Sequence, residues 1–143
     1  RNNIDEYTQT TSEAIKTFTH VPRAKAIIIL NPAEPPILMH NTIYADIKDP
    51  DIQGLRREIE SVTKHMQTYV PGYKITLGPV YENHRLTIMN EVIGKGDFLP
   101  SFAGNLDIIN CAAITVAEEY ARRKLGLTAY TISSDQNVML PNF

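Results

Sequence analysis

The chain has 143 residues, 43% of them hydrophobic and 21% charged, with a formal net charge of −2. That length suits one compact domain with its own core, and a near-neutral charge without a Lys/Arg cluster argues against a nucleic-acid surface. No apolar run approaches the ~18 residues of a membrane helix, and a single cysteine, Cys111, excludes an internal disulfide and suits a reducing cytosol.

Asn3 followed by Glu6 reads as a capping box, and Ile4, Tyr7, Thr11, Ala14, Ile15 and Phe18 recur at helical spacing, so the chain opens with an amphipathic helix over residues 4–18. Residues 23–30 are β-branched and apolar and read as a short strand. This strand runs into Asn31-Pro32-Ala33-Glu34-Pro35-Pro36, where prolines without amide hydrogens and with fixed φ forbid helix and central strand alike. The turn is either a stiff connector or a rigid mount for the polar groups it carries, Asn31, Glu34, His40 and Asn41, at a strand end where α/β proteins place ligand contacts. A second strand resumes over residues 37–47.

Asp49 then caps a helix with Pro50 at its first position, and Ile52, Leu55, Ile59, Val62, Met66 and Tyr69 form its apolar face until Pro71-Gly72. Tyr73, Ile75 and Leu77 alternate, residues 86–93 are again β-rich, and the two strands are expected to pair antiparallel around Glu82-Asn83-His84. A last helix over residues 105–125 is expected to bury Leu106, Ile109, Ala113, Val116 and Tyr120 and to stop at Gly126, leaving an irregular tail over 126–143. Together these elements predict an α+β fold: a mixed, largely antiparallel sheet of at least four strands, covered by helices in two layers. Val/Ile-rich strands ask for cover on both faces, which a dimer would supply.

The chemical inventory is thin. His20, His40, His65 and His84 show no metal-ligand spacing, so no metal is expected. Gly94-Lys95-Gly96 lacks the rest of a phosphate loop and reads as a turn, and Cys111 beside Ala112 and Ala113 reads as a small buried thiol. Asn105, after Gly104 at a helix start, reads either as a plain N-cap or as a carboxamide set among free backbone amides that can hold a ligand.

Four motifs in order, RNNIDEYT from Arg1, NPAEPPILMHNTIYA over residues 31–45, YVPGY over 69–73 and LPSFAGNLDI over 99–108, resemble the acylating acetaldehyde dehydrogenases. The resemblance covers residues 1–125 and identifies them as the substrate and dimerisation domain, implying a fold like the C-terminal domain of glyceraldehyde-3-phosphate-dehydrogenase-like enzymes. It implies conversion of acetaldehyde, NAD and coenzyme A to acetyl-CoA and NADH in the cytoplasm, in aromatic hydrocarbon catabolism. Implied partners are a second copy of the chain, a small aldehyde and a 4-hydroxy-2-oxovalerate aldolase, with neither nucleic acid nor membrane. The family's NAD-binding Rossmann domain and acyl-forming cysteine are not among these residues. On the resemblance, Arg1, Asn2, Asn3 and Asn105 contact NAD, while the proline turn shapes the aldehyde pocket and presents residue 41 to the reacting centre. The chain departs from the family in carrying His40-Asn41 where Arg-Asp is usual, and in a shorter stretch between Tyr73 and Asp97. A carboxamide takes no proton near neutral pH, so Asn41 is not a base, and His40 is the residue that would replace one. A free-standing, non-catalytic dimerisation or binding module derived from the family is the alternative.

Overall fold

A computed structural model describes residues 2–127, which divide into two compact units between residues 37 and 38. The first unit consists of α1 (Asn2–Thr19) and the segment that follows it. The helix already includes Asn2, so Asn3 stands inside its first turn and does not cap it. The α1 hydroxyl Ser12 Oγ gives its hydrogen to the Thr8 carbonyl and accepts the Ala26 amide at 2.8 Å, tethering the outgoing chain to the helix. Residues 23–30 are not a strand, contrary to the reading from composition. A strand exists only as half of a hydrogen-bonded pair, and none of the strands among the described residues takes this one as a neighbour. Its side chains are correspondingly bare, Ile29 being 85% exposed. In the proline turn the Asn31 side-chain oxygen accepts the Ala33 amide, an Asx turn, and the Glu34–Pro35 bond is cis.

The second unit is built on one antiparallel sheet of β1 (Met39–Asp46), β2 (Tyr73–Glu82) and β3 (Arg85–Val92), in the order β1-β3-β2. The α+β class holds, but the sheet has three strands and not four among the described residues, since residues 23–30 do not join it. β2 and β3 are joined by Asn83 and His84, both with positive φ (50° and 62°), the two-residue turn whose twist matches that of paired strands. β1 pairs with β3 in unbroken register from Met39↔Val92 to Asp46↔Arg85, whereas β2 shifts register twice, between Ile75 and Leu77 and between Leu77 and Val80. Pro79, which has no amide to donate, lies in the second shift.

Between β1 and β2 the chain makes α2 (Ile52–Gln67). Its cap is Asp51, not Asp49: the Asp51 carboxylate accepts the Gly54 amide at 2.9 Å, while Asp49 turns the chain with a φ of 48°. Strand alternation divides the sheet cleanly, because successive side chains point to opposite faces. One face carries Asn41, Leu86, Asn90, Val92, Tyr73 and Ile75, and α2 packs there against β2. Leu86, Val92 and, just after α2, Val70 are the buried apolar side chains. The other face carries His40, Thr42, Tyr44, Asp46, Thr87, Met89, Glu91, Lys74, Leu77 and Val80, and its middle is open, with Tyr44 at 66% exposure.

After β3 a loop and a 3-10 turn over Ser101–Ala103 lead into α3 (Gly104–Lys124). Its beginning is anchored to the end of β3. Gly104 lies so close to the Val92 carbonyl that a methyl group would overlap it, and the Asp107 carboxylate accepts the Lys95 amide at 2.6 Å. The stripe expected to be buried is not: Leu106, Ile109, Val116 and Tyr120 are 42%, 58%, 69% and 63% exposed. Helical spacing marks a face that wants cover without saying where the cover comes from, and α3 meets the sheet only near β3's end. The tail expected over 126–143 lies outside the described residues from 128 onward.

Candidate functional site

His40 and Asn41 are the second and third residues of β1, and because they are consecutive their side chains leave the sheet on opposite faces. They therefore cannot line one pocket as a pair. Asn41 is exposed, stands opposite Asn90 and shares its face with Val92. Val92 is the residue on which Gly104 rests, so the start of α3 and Asn41 belong to the same end of the sheet, with Val92 and Asn90 on the strand between them. Asn105 is the second residue of α3, exposed; the helix is capped from Ala103, so Asn105 is not an N-cap. In a helix of 21 residues the first-turn amides lack intrahelical acceptors and carry the positive end of the dipole. Asn2 and Asn3 lie in α1, and Arg1 lies outside the described residues.

Around Asn41 the face is polar. Asn90 is buried at 5% exposure and its carboxamide hydrogen-bonds the Tyr73 hydroxyl, while its side-chain oxygen has no partner among the described residues. Burial pushes the Tyr73 phenol above its ordinary value, and the Asn90 hydrogen bond offsets only part of this. Tyr69, also raised by its burial and then by neighbouring Tyr73, donates its hydroxyl to Met66 Sδ at 2.6 Å. Beside this region α2 and β2 flank a groove of about 470 Å³ lined by Arg56, Ile59, Lys64, Lys74 and Ile75 among others, and none of the candidate site residues His40, Asn41 and Asn105 lies in it.

On the opposite face His40 belongs to a row that the sequence did not reveal. Its Nε2 lies 2.6 Å from Glu91 Oε2, and Lys74 Nζ lies 2.5 Å from Glu91 Oε1, so one carboxylate on the central strand bridges the basic residues directly across from it on both neighbours. Glu91 is the buried member, its side chain 9% exposed against 44% for His40 and 49% for Lys74. The Lys74 ammonium holds the Glu91 carboxyl below the usual carboxylate range, helped by His40 and opposed by the loss of solvent. Register is why sequence reasoning missed it. A hairpin running unbroken from the Glu82–Arg85 pair would set Thr76 opposite Glu91; the two shifts in β2 bring Lys74 there instead. The one signal available was a carboxylate, beside Asn90, in a strand whose neighbouring residues Ile88, Met89, Val92 and Ile93 are apolar.

Cys111 lies in the second turn of α3, half-buried, its carbonyl accepting the Thr115 hydroxyl. Among the described residues no group of three His, Cys, Asp or Glu side chains is placed to hold a metal ion, and no helix is long and apolar enough to cross a membrane.

Comparison with known proteins gives the family: residues 1–100 match the family model described as prokaryotic acetaldehyde dehydrogenase, dimerisation, and the chain belongs to that family. It is 50% identical over 122 residues to an acetaldehyde dehydrogenase of Spirochaeta aurantia, covering 85% of this chain and 41% of the relative. Similar proteins of the same name are found in Desulfitobacterium hafniense, 47% identical over 132 residues (90% of this chain, 44% of the relative), and Pectobacterium atrosepticum, 48% over 126 (88% and 43%). The chain thus spans about two-fifths of the length of these curated relatives.

Proposed function

We propose that this chain is the substrate-binding and dimerisation portion of an NAD-dependent acylating acetaldehyde dehydrogenase, which turns acetaldehyde, NAD and coenzyme A into acetyl-CoA and NADH. The observation that carries this reading is the placing of Asn41, exposed and on the Val92 face, at the end of the sheet where Gly104 and Asn105 open α3. In such a reaction a thiolate adds to the aldehyde carbonyl, the hydroxyl of the adduct loses its proton as hydride leaves carbon, and the thiol of coenzyme A displaces the acyl group. NAD supplies the hydride acceptor. The Asn41 carboxamide donates a hydrogen bond to the reacting oxygen and orients it, but takes no proton. The Asn105 carboxamide, able to donate and accept, suits the carboxamide of a nicotinamide, with the first-turn amides of α3 beside it. The assignment of Arg1, Asn2 and Asn3 to the cofactor rests on the family motif.

Dimerisation belongs to the open face of the sheet. Its middle is Tyr44, Met89, Leu77 and Val80, and ionic rows close it at both ends, His40–Glu91–Lys74 and Asp46–Arg85. An apolar centre with a polar rim is the anatomy of a subunit interface, and sheet faces with such a centre need cover. A cytoplasmic setting, a role in aromatic hydrocarbon catabolism and an aldolase partner complete the reading as the family suggests it.

Measuring NADH formation from acetaldehyde, NAD and coenzyme A tests it. The polypeptide expressed from its native reading frame should be active and the 143-residue chain alone inactive, because among the described residues no base is hydrogen-bonded to Cys111 to activate it. If the native-frame polypeptide forms no NADH, a non-catalytic dimerisation module takes the place of the enzyme reading. If the isolated chain is active and Cys111→Ser abolishes this, Cys111 is the nucleophile.

A further inference from the structure

We propose that Glu91 is a positioning residue: gripping His40 on one face of the sheet, with Lys74 anchoring its second oxygen, it fixes the start of β1 and thereby aims Asn41 from the other face. Neither the sequence motifs nor the family likeness singles it out.

The geometry makes the link direct. β1 is an edge strand held to the rest of the sheet only through β3, so its first residues depend on cross-strand contacts to resist fraying. The Met39↔Val92 pair ends the register, leaving His40↔Glu91 as the first charged contact and Asn41↔Asn90 as the pair after it. His40 and Asn41 are consecutive residues of an extended strand, so tying the His40 side chain to β3 holds the paired backbone from which the next Cα–Cβ bond leaves toward the opposite face. Glu91 Oε2 lies 2.6 Å from His40 Nε2, and Oε1 stands at ion-pair distance, 2.5 Å, from the Lys74 ammonium of the far strand, the contact being one of charge and not of hydrogen-bond geometry. One carboxylate therefore spans all three strands at the level of residue 40, one pair before Asn41. Its burial matters as well: an ion pair between exposed side chains constrains little, whereas a carboxylate 9% exposed is held in one arrangement by its surroundings. His40 in this arrangement is a strut. Its Nε2 is committed to Glu91 on the face away from Asn41, so it does not serve as a base toward a ligand on the Asn41 face.

The proposal deepens the functional reading above, since aiming Asn41 matters only if Asn41 meets a ligand, and its test has one arm that does not depend on activity. By amide relaxation on the labelled chain, Asn41 should be as rigid as β3, with an order parameter of about 0.85, and Glu91→Gln should drop it below about 0.6 while residues 86–90 keep theirs. His40→Gln, a change to a half-exposed side chain, should loosen Asn41 likewise and carries the test should Glu91→Gln not fold. In the second arm, kcat of the native-frame polypeptide should fall by about 10-fold or more in Glu91→Gln and His40→Gln with KM for NAD unchanged, the mark of a group that orders the reacting centre and not the ground state. His40→Arg should stay within about 3-fold of wild type, because a guanidinium pairs with the carboxylate and cannot accept a proton. Asn41 equally rigid in all variants, or Glu91→Gln within about 2-fold of wild-type kcat, overturns the proposal. His40→Arg as inactive as His40→Gln does so too, and returns the chemistry to the imidazole. An inactive wild type would defeat the functional reading and leave the relaxation arm to decide the positioning.

Discussion

Single residues here do their work by proximity, and Gly104 is the plainest case. A Cβ at that position would overlap the Val92 carbonyl oxygen and come within 3.0 Å of the Val92 side chain, both parts of the packed strand end. Backbone cannot step aside as a flexible side chain does, so Gly104→Ala should destabilise the chain by about 1–3 kcal/mol and shift α3 away from β3. Urea unfolding measures the first and the β3 amide shifts report the second. Glu91 gives a pH prediction. Its carboxyl is held below the ordinary value in the folded chain, chiefly by Lys74, so the folded state binds the proton less readily than the unfolded one. Its contribution to stability is complete above the unfolded carboxylate pKa and disappears as pH falls through the lower, folded value. The urea midpoint should therefore drop from neutral pH into the acid range by more in wild type than in Glu91→Gln, which has nothing there to titrate.

At the scale of elements, α2 itself read true from its periodicity while its cap did not: Asp49 was expected and Asp51 caps the helix, a contact between residues three apart, so Asp51→Ala should cost about 1 kcal/mol of stability, read from the urea midpoint. At the hairpin, His84 holds a φ of 62°, a conformation that costs an L-residue roughly 1–2 kcal/mol, against the ~0.5–1 kcal/mol of extra chain entropy that glycine loses on folding. The first term is larger, so His84→Gly should stabilise the chain by roughly 0.5–1 kcal/mol even with the 3.5 Å approach of Tyr81 to the ring lost. The turn, the three strands and α2 were legible in the sequence because each is specified by residues a few positions apart. Residues 23–30 and the outer face of α3 were not, since a strand needs a neighbour and an apolar stripe needs a cover, and both depend on what else is nearby. The candidate site divides in the same way. His40, Asn41 and Asn105 were visible through motifs, but the His40–Glu91–Lys74 row depends on two register shifts that no local pattern announces.

For the molecule as a whole, the family and the architecture meet at the open face of the sheet. The family model names dimerisation, and on the face opposite Asn41 the second unit leaves Tyr44 exposed at 66% and Leu77 and Val80 at 37% and 36%, with Met89 half-buried among them. Arg85 lies over the Tyr44 ring at 5.9 Å and pairs with Asp46 at 3.3 Å, which closes one end of that patch as the Glu91 row closes the other. Lysine at position 89 would put an unpaired ammonium at the centre of a sheet-to-sheet contact while remaining solvated in a free subunit, so Met89→Lys separates association from folding. Sedimentation velocity at micromolar concentration is the measurement that bears most directly on this account. The wild-type chain should sediment as a dimer and Met89→Lys as a folded monomer with unchanged circular dichroism; a wild-type monomer, or a dimer that Met89→Lys leaves intact, would contradict it.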